Sequence, residues 1–329
     1  MRDGSLTRPV HVGVVGAGAA GRQHLAALRG CHDVVVAGVC DPDPSRLSAA
    51  LAEPTGPGSA PPRGYSGLAE MLADERIELI AIATPPGSHA ELATEVLAAQ
   101  RSVLLEKPPL LSVDDLERVV ADADARGLVA GVMLQHRFRL PRPAVTATWS
   151  AAAVGILEVI RYRPVEHYQR DGWRSDATNS GGGLIAHLGV HYLDLACQVL
   201  GTPAEIVGTM DGVPGMDLDQ RVAFCARFPA GQVLTFIGTT AVDRRSERLA
   251  IYDTGRELVV DEQVTRDSDS PGELFAAAPT SALRTQVYLD LAHALRSGRR
   301  PEVADLQASI GVVRMMELVR DLDRQVQTR

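Results

Sequence analysis

The stretch that most constrains this chain is Val12 to Gly21, V-G-V-V-G-A-G-A-A-G, an apolar run that enters a glycine turn and leaves as a helix. Unbroken apolar residues suit a strand buried on both faces, as in a parallel sheet covered by helices. The turn itself, Gly16-Ala17-Gly18-Ala19-Ala20-Gly21, fits G-x-G-x-x-G. Gly16 permits the tight turn, Gly18 lets backbone approach a pyrophosphate, and Gly21 allows close helix–strand packing. The helix start adds free N–H groups and partial positive charge for phosphates. Asp41 lies twenty residues past Gly21, at the end of the next apolar run, where a ribose-binding carboxylate is expected. A carboxylate accepts from ribose hydroxyls and repels a 2′-phosphate, so NAD(H) is favoured over NADP(H). Arg46, close by in sequence, tempers that preference.

The alternation continues. Val34–Cys40, Leu79–Ala83, Val103–Leu105 and Val129–Leu134 read as further strands, and helices are expected near Ala19–Arg29, Ser45–Ala52, Gly67–Ala73, Ser88–Ala99 and Val113–Arg126. Residues 53–64, rich in proline and glycine, read as a surface loop. Residues 1–130 are thus expected to form a doubly wound parallel sheet of Rossmann type. Residues 131–329 change character. A helix near Ala144–Ala153, a strand near Ile156–Arg163 and a polar loop over 164–180 lead to an amphipathic helix, Leu184–Leu200. Alternating strands follow at Glu205–Thr209, Asp219–Phe228, Gln232–Thr240, Glu247–Asp253 and Glu257–Asp261, joined by glycine turns such as Pro229-Ala230-Gly231. They predict an antiparallel meander inside an α/β domain with a large open sheet. Helices Ser281–Ser297 and Leu306–Arg324 close the chain. Two domains suit 329 residues, since one core rarely grows beyond about 250–300.

A net charge of −8 argues against nucleic acid or an anionic membrane as partner. Cys31, Cys40, Cys197 and Cys225 are scattered without C-x-x-C spacing, which reads as small buried hydrophobes in a reducing cytoplasm. The first nine residues are polar with no apolar segment behind them, and no run approaches the ~18 apolar residues of a span. A cytoplasmic protein is expected.

The chemistry-bearing residues fall in both halves. Thr84-Pro85-Pro86 ends the strand at Leu79–Ala83, where ligands bind in doubly wound sheets, and His89 opens the helix behind it. Glu106-Lys107-Pro108 follows the strand Val103–Leu105. A residue before proline is driven toward extended backbone, which constrains where Lys107 points. A lysine near an oxidised nicotinamide ionises less readily and can share a proton with a reacting oxygen. His191 is the expected general base, since imidazole takes protons near neutral pH. His187, His191 and Asp194, at i, i+4 and i+7, are expected on one helix face. Trp173 and Arg174, before Ser180-Gly181-Gly182-Gly183, suit a sugar face and its hydroxyls. His136 and Arg137 are expected near the same substrate. A metal pair at His187 and His191 lacks an obvious third ligand beyond Asp194, so no metal is expected.

Taken in order, Gly16–Gly21, Ala83-Thr84-Pro85-Pro86 with His89, Glu106-Lys107-Pro108, Trp173-Arg174, the glycine triplet and Gly189-x-His191-x-x-Asp194 resemble the Gfo/Idh/MocA family, the glucose–fructose oxidoreductase and inositol dehydrogenase group. The resemblance spans almost the whole chain. It implies a Rossmann domain holding NAD and a second domain for substrate binding and oligomerisation, with substrate bound between them. It also implies redox chemistry on a sugar, cyclitol or related polyol. Gly16 to Gly21, Asp41, Arg46, Thr84, Pro85, His89, Glu106 and Lys107 are then the expected cofactor contacts, and Lys107, Arg137, Trp173, Arg174, His187, His191 and Asp194 the expected substrate contacts. One position departs from the pattern. Four residues before His191 the inositol dehydrogenase-like members commonly carry aspartate, and here His187 stands. A histidine cannot supply that negative charge, so the catalytic roles carry over to Lys107 and His191, with His187 as substrate contact, second proton acceptor or packing group. The departure turns the expected substrate from inositol toward other sugar derivatives, including amino sugars and nucleotide-linked sugars.

The sequence therefore predicts a nicotinamide-dependent dehydrogenase or ketoreductase acting on a ring carbinol or ketone. A glycosidase that oxidises transiently with no net redox change is an alternative. A non-catalytic nucleotide sensor is a second, disfavoured because a sensor needs neither Lys107 nor His191. Apolar residues on both faces of the later strands, among them Val233, Leu234, Phe236 and Ile237, predict a dimer or tetramer.

Overall fold

Strands of continuous apolar sequence build the first sheet. β1 (Val10–Val15), β2 (Val34–Cys40), β3 (Arg63–Tyr65), β4 (Leu79–Ile82), β5 (Ser102–Leu105) and β6 (Ala130–Val132) run parallel in the order β3-β2-β1-β4-β5-β6. The computed structural model describes residues 8–54, 60–170, 172–268, 275–276 and 278–326. In it β4 and β5 are buried at every position, as strands covered on both faces must be. Helices α1 (Ala19–Leu28), α2 (Pro44–Leu51), α3 (Leu68–Leu72), α4 (His89–Ala98) and α5 (Val113–Ala125) link these strands. The strand order reverses between β1 and β4, and ligands of such sheets sit beyond the strand carboxyl ends at that reversal. The Rossmann architecture expected from the sequence is present.

Two compact units divide the chain discontinuously. One comprises Met1–Pro109, Asp114–Gln135 and Pro279–Gln307; the other comprises Leu110–Val113, His136–Ala278 and Ala308–Arg329. A late segment thus returns to the nucleotide unit instead of remaining in a second half that begins at 131. Within that unit Val132 N donates to Ala304 O and Leu306 N to Ala130 O, adding a short antiparallel bridge beside β6. Three-residue β3 is too short to show a period, and the sequence reading left it inside the 53–64 loop, whose residues 55–59 lie outside the described residues.

The second unit centres on β7 (Val154–Arg161), β8 (Glu205–Gly212), β9 (Asp219–Arg227), β10 (Val233–Thr239), β11 (Arg245–Asp253), β12 (Arg256–Val260), β13 (Val264–Asp267) and β14 (Phe275–Ala276). Their order is β14-β13-β12-β11-β7-β10-β9-β8. All neighbours pair antiparallel except β7 and β10, which run parallel. The sheet is mainly antiparallel, as expected, but it is not a meander. β7, made first, lies between β10 and β11, and strand pattern alone cannot reveal such an insertion. Along β9 and β10 burial alternates. Phe224 and Phe236, cross-strand partners on the covered face, stack at 4.9 Å. The opposite face exposes Val154, Ile156, Val207, Ile237 and Cys225, so Cys225 is not the buried thiol the sequence suggested.

Short helices α6 (Arg142–Thr146), α7 (Val165–Gln169) and α8 (Ala177–Ser180) fill the segment before the core helix, and the longer helix expected at 144–153 is cut to α6. The core helix begins as a π turn, Ile185–Gly189, and continues as α9 (Val190–Leu200). The stretch Ala177–Leu200 is apolar and long enough by composition to cross a membrane, and 78% of its most apolar window is buried inside the fold. Helix α10 (Thr280–Ser297) belongs to the nucleotide unit, and α11 (Ile310–Val326) packs on α9 and β8 in the other.

The glycine turn offers a sharp test of packing against ligand access. A Cβ on Gly21 would fall 1.8 Å from the Gly16 carbonyl oxygen, whereas one on Gly18 meets no atom within 4 Å. Gly21→Ala should therefore cost about 1–3 kcal/mol in urea denaturation, as overpacked sites do. Gly18→Ala should unfold like wild type yet weaken NADH binding by about tenfold or more in a fluorescence titration, since it obstructs backbone approach to the pyrophosphate.

Candidate functional site

In the nucleotide unit the glycine turn stands ready for an anion. Gly16 has φ +97°, a conformation that favours glycine, and its Cβ would strike the backbone of Ala83. Gly18 is the N-cap of α1, no side chain caps that end, and its first turn holds no acid. The N–H groups at the helix start thus face the open side of Gly18, a cradle that a pyrophosphate fits. Asp41, nearly enclosed, accepts the Ala17 amide on Oδ2 at 2.7 Å and the Asp43 amide on Oδ1 at 2.9 Å. Its carboxylate therefore fixes the turn while each oxygen keeps a lone pair for a ribose hydroxyl. Arg46 is exposed, 3.4 Å from the Asp43 carboxylate that caps α2.

Thr84 and Pro85 leave β4, and Lys107 leaves β5, so these groups and the glycine turn come off neighbouring strands of one sheet. The Thr84 hydroxyl lies 2.8 Å from that of Ser88. His89 is fully buried, with Nδ1 2.9 Å from the Pro109 carbonyl and Nε2 3.0 Å from that of Thr84. Expected at the cofactor, His89 instead ties together the two segments that carry Thr84 and Lys107. Burial pulls its pKa down, against the two carbonyls that hold it up. Glu106 is 4% exposed and accepts the Lys107 backbone amide on Oε2 at 3.0 Å and Arg284 Nη1 on Oε1 at 2.6 Å. Lys107 itself is partly exposed, and it is the sole lysine of the chain.

In the other unit the three residues at i, i+4 and i+7 have separate partners. The π turn over Ile185–Gly189 widens the helix where His187 sits. The His187 ring lies 6.0 Å from Trp173 and 6.3 Å from both His167 and Tyr168. Arg174 stacks its guanidinium over Trp173 at 4.5 Å. His191, partly exposed, has its ring 4.5 Å from His136. Asp194 is enclosed with Arg137: Nε donates to Oδ2 at 2.8 Å and Nη2 to Oδ1 at 2.7 Å, while Nη2 also donates to Ser309. Expected at the substrate, Arg137 and Asp194 are in fact a bidentate core pair that ties α9 to the chain beside His136. Burial raises the Asp194 carboxyl, opposed by Arg137.

Ahead of the π turn, buried Asp219 accepts the Gly183 amide at 2.6 Å and the Ile185 amide at 2.7 Å. A Cβ on Gly183 would fall 2.1 Å from the Asp219 carbonyl oxygen, so the glycine triplet makes room for β9. Sequence reasoning missed Asp219, Ser309, His24, Tyr288 and Arg284. Each meets its partner across a long stretch of chain, and no local pattern marks such meetings. Asp171, in the loop with Trp173, lies outside the described residues. Among the described residues no three His, Cys, Asp or Glu gather as a metal site.

Residues 10–134 match the model of an oxidoreductase family with an NAD-binding Rossmann fold, and residues 154–258 match the GFO/IDH/MocA C-terminal domain. The chain belongs to the Gfo/Idh/MocA family. Among family relatives, D-glucoside 3-dehydrogenase of Escherichia coli K12 is 28% identical over 209 residues, 62% of this chain and 58% of that protein. A putative UDP-kanosamine synthase oxidoreductase subunit of Amycolatopsis mediterranei is 32% identical over 212 residues, 60% of this chain and 54% of that protein. These matches reach little more than half the length of either relative. The WlbA dehydrogenase of Bordetella pertussis, solved with NADH and UDP-GlcNAcA, shares the fold with a TM-score of 0.80 at 20% identity, over 97% of each chain.

The Arg137–Asp194 pair sets a stability prediction. Asp194→Ala leaves a guanidinium buried without its carboxylate, and breaking such pairs costs about 3–5 kcal/mol. Urea unfolding should show that loss. A change below about 1 kcal/mol, the range of exposed ion pairs, would mean the pair is solvated.

Proposed function

We propose that this protein is an NAD-dependent dehydrogenase or ketoreductase acting on a ring carbinol or ketone of a sugar derivative, with amino sugars and nucleotide-linked sugars ahead of inositols. The observation that supports it most is that the uncapped α1 start with the open face of Gly18, Thr84 and Lys107 follow β1, β4 and β5, three successive strands of one sheet. The nicotinamide, when bound, supplies the hydride acceptor or donor at its C4. Gly16 to Gly21 and Asp41 hold the pyrophosphate and ribose, with Thr84 and Pro85 beside them. Lys107 hydrogen-bonds the reacting oxygen and shares its proton. His191 removes the hydroxyl proton as hydride leaves the same carbon. His187, Trp173 and Arg174 offer an aromatic and cationic surface for the sugar, while Arg137, Asp194 and His89 hold their segments in place. The sugar substrates in the relatives' names agree with this choice.

A panel of sugars and nucleotide sugars with NAD, followed at 340 nm, tests the reading directly. Net NADH formation supports a dehydrogenase, and turnover with no net NADH would replace it with an internal redox cycle. Lys107→Met and His191→Ala should each lower kcat by about 10²–10⁴, the usual contribution of a proton-transfer group, while NADH still binds. Near-normal turnover in either variant would remove that residue from the mechanism.

The exposed apolar residues Val154, Ile156, Val207 and Ile237 on one sheet face suit contact with a second copy, giving a dimer or tetramer in the cytoplasm. Light scattering at micromolar concentration should give at least twice the chain mass, and Ile237→Glu should lower it.

A further inference from the structure

Behind Lys107 lies a buried polar chain that the proposed reaction does not use. Arg284 and Tyr288, one turn apart on α10, both point into the nucleotide unit and are 6% and 0% exposed. Arg284 donates to Glu106 Oε1 at 2.6 Å. His24, on the helix that begins at the glycine turn, is fully buried with Nε2 3.1 Å from the same Oε1 and Nδ1 2.7 Å from the Tyr288 hydroxyl. Glu106 Oε2 accepts the Lys107 amide at 3.0 Å.

Glu106 sits at the centre of these contacts. Burial by itself would raise the Glu106 carboxyl, but Arg284 and His24 outweigh it and hold the group well below its ordinary range. An ionised carboxylate only accepts. His24, whose pKa burial pulls down against the pull of Glu106, has Nε2 within ion-pair range of that carboxylate. Its Nδ1 shares a hydrogen bond with the Tyr288 hydroxyl. The chain runs Tyr288 to His24 to Glu106, with Arg284 supplying the compensating charge, and it ends at the backbone of Lys107.

We propose that Arg284, His24 and Tyr288 are positioning residues for Lys107: they hold the Glu106 side chain so that its second oxygen fixes the lysine's peptide and hence the direction of its side chain. The network joins α1, which begins at the glycine turn, to the lysine segment, so cofactor-holding and proton-handling parts are set against one frame. This inference rests on the reading of Lys107 as a proton-handling group.

A double-mutant cycle separates positioning from mere support of the fold. Arg284→Met should lower kcat by about 10–100-fold, the scale set by small misplacements of reacting groups, with the KM for NAD within about threefold of wild type. Arg284→Lys, which keeps the charge, should recover most of the loss. On a Lys107→Met background the same Arg284→Met change should cost less than about twofold of the residual turnover, because the group it positions is gone. Should Arg284→Met fail to fold, Tyr288→Phe removes only the hydroxyl bonded to His24 and should lower kcat several-fold with the same dependence on Lys107. An equal loss on both backgrounds, or a loss confined to KM for NAD, overturns the proposal and leaves the role of Lys107 standing. Wild-type turnover in Lys107→Met alone overturns the role of Lys107 and this inference with it.

Discussion

A carboxylate taken out of water needs a positive partner, and Glu106 finds the guanidinium of Arg284 on a helix far along the chain. Isolated ions lose several kcal/mol or more on burial, so a Glu106 without Arg284 would protonate or drag water into the sheet's edge. Arg284 lies 178 residues further on, carried by α10. The nucleotide unit is therefore incomplete as a stretch of sequence ending near residue 130. Further ties run the same way: Arg296 donates to Glu78 at 2.7 Å, and the Thr285 hydroxyl donates to the Ala27 carbonyl at 2.7 Å. A helix that looks in sequence like the tail of the second half works as a brace for the first.

How much was legible follows from the range of each interaction. The strands of the first sheet declared themselves because burial on both faces demands unbroken apolar runs, and Val34–Cys40 begins and ends where its sequence says. The glycine turn was legible because φ at Gly16 and the space at Gly21 forbid other residues. Three-residue β3, four-residue β13 and two-residue β14 were not, since a period of two needs more length to show. The insertion of β7 between β10 and β11 was hidden for another reason. Alternation says that a strand has two faces but never which strand lies beside it.

The site divides along the same line. Lys107 and His191 could be named from motifs as candidates, whereas the residues that pack around them could not. Arg137 and Asp194 illustrate the failure: each looked like a polar group awaiting a sugar, yet they satisfy one another inside the core. Spacing alone also did not show the π turn that carries His187. Asp219 grips the amides of Gly183 and Ile185 at the entry, and the first turn opens into a π turn. His187 has ring neighbours of its own, whereas His191 and Asp194 meet the consecutive residues His136 and Arg137.

That separation gives a physical account of the histidine at 187, where inositol dehydrogenase-like members commonly carry aspartate. The ring stands among Trp173, His167 and Tyr168, with the Arg174 charge occupied over the indole face. Aromatic neighbours desolvate a carboxylate and favour its neutral form, so an aspartate there would be a poor source of negative charge. A neutral imidazole meets no such penalty, lies edge-on to His167 and Tyr168 and tilted against Trp173, and still offers a nitrogen to a hydroxyl. The surroundings and the residue thus agree with one another. Position 187 suits contact with a sugar ring better than it suits stabilising an imidazolium, and His191 is left with His136 as its aromatic neighbour.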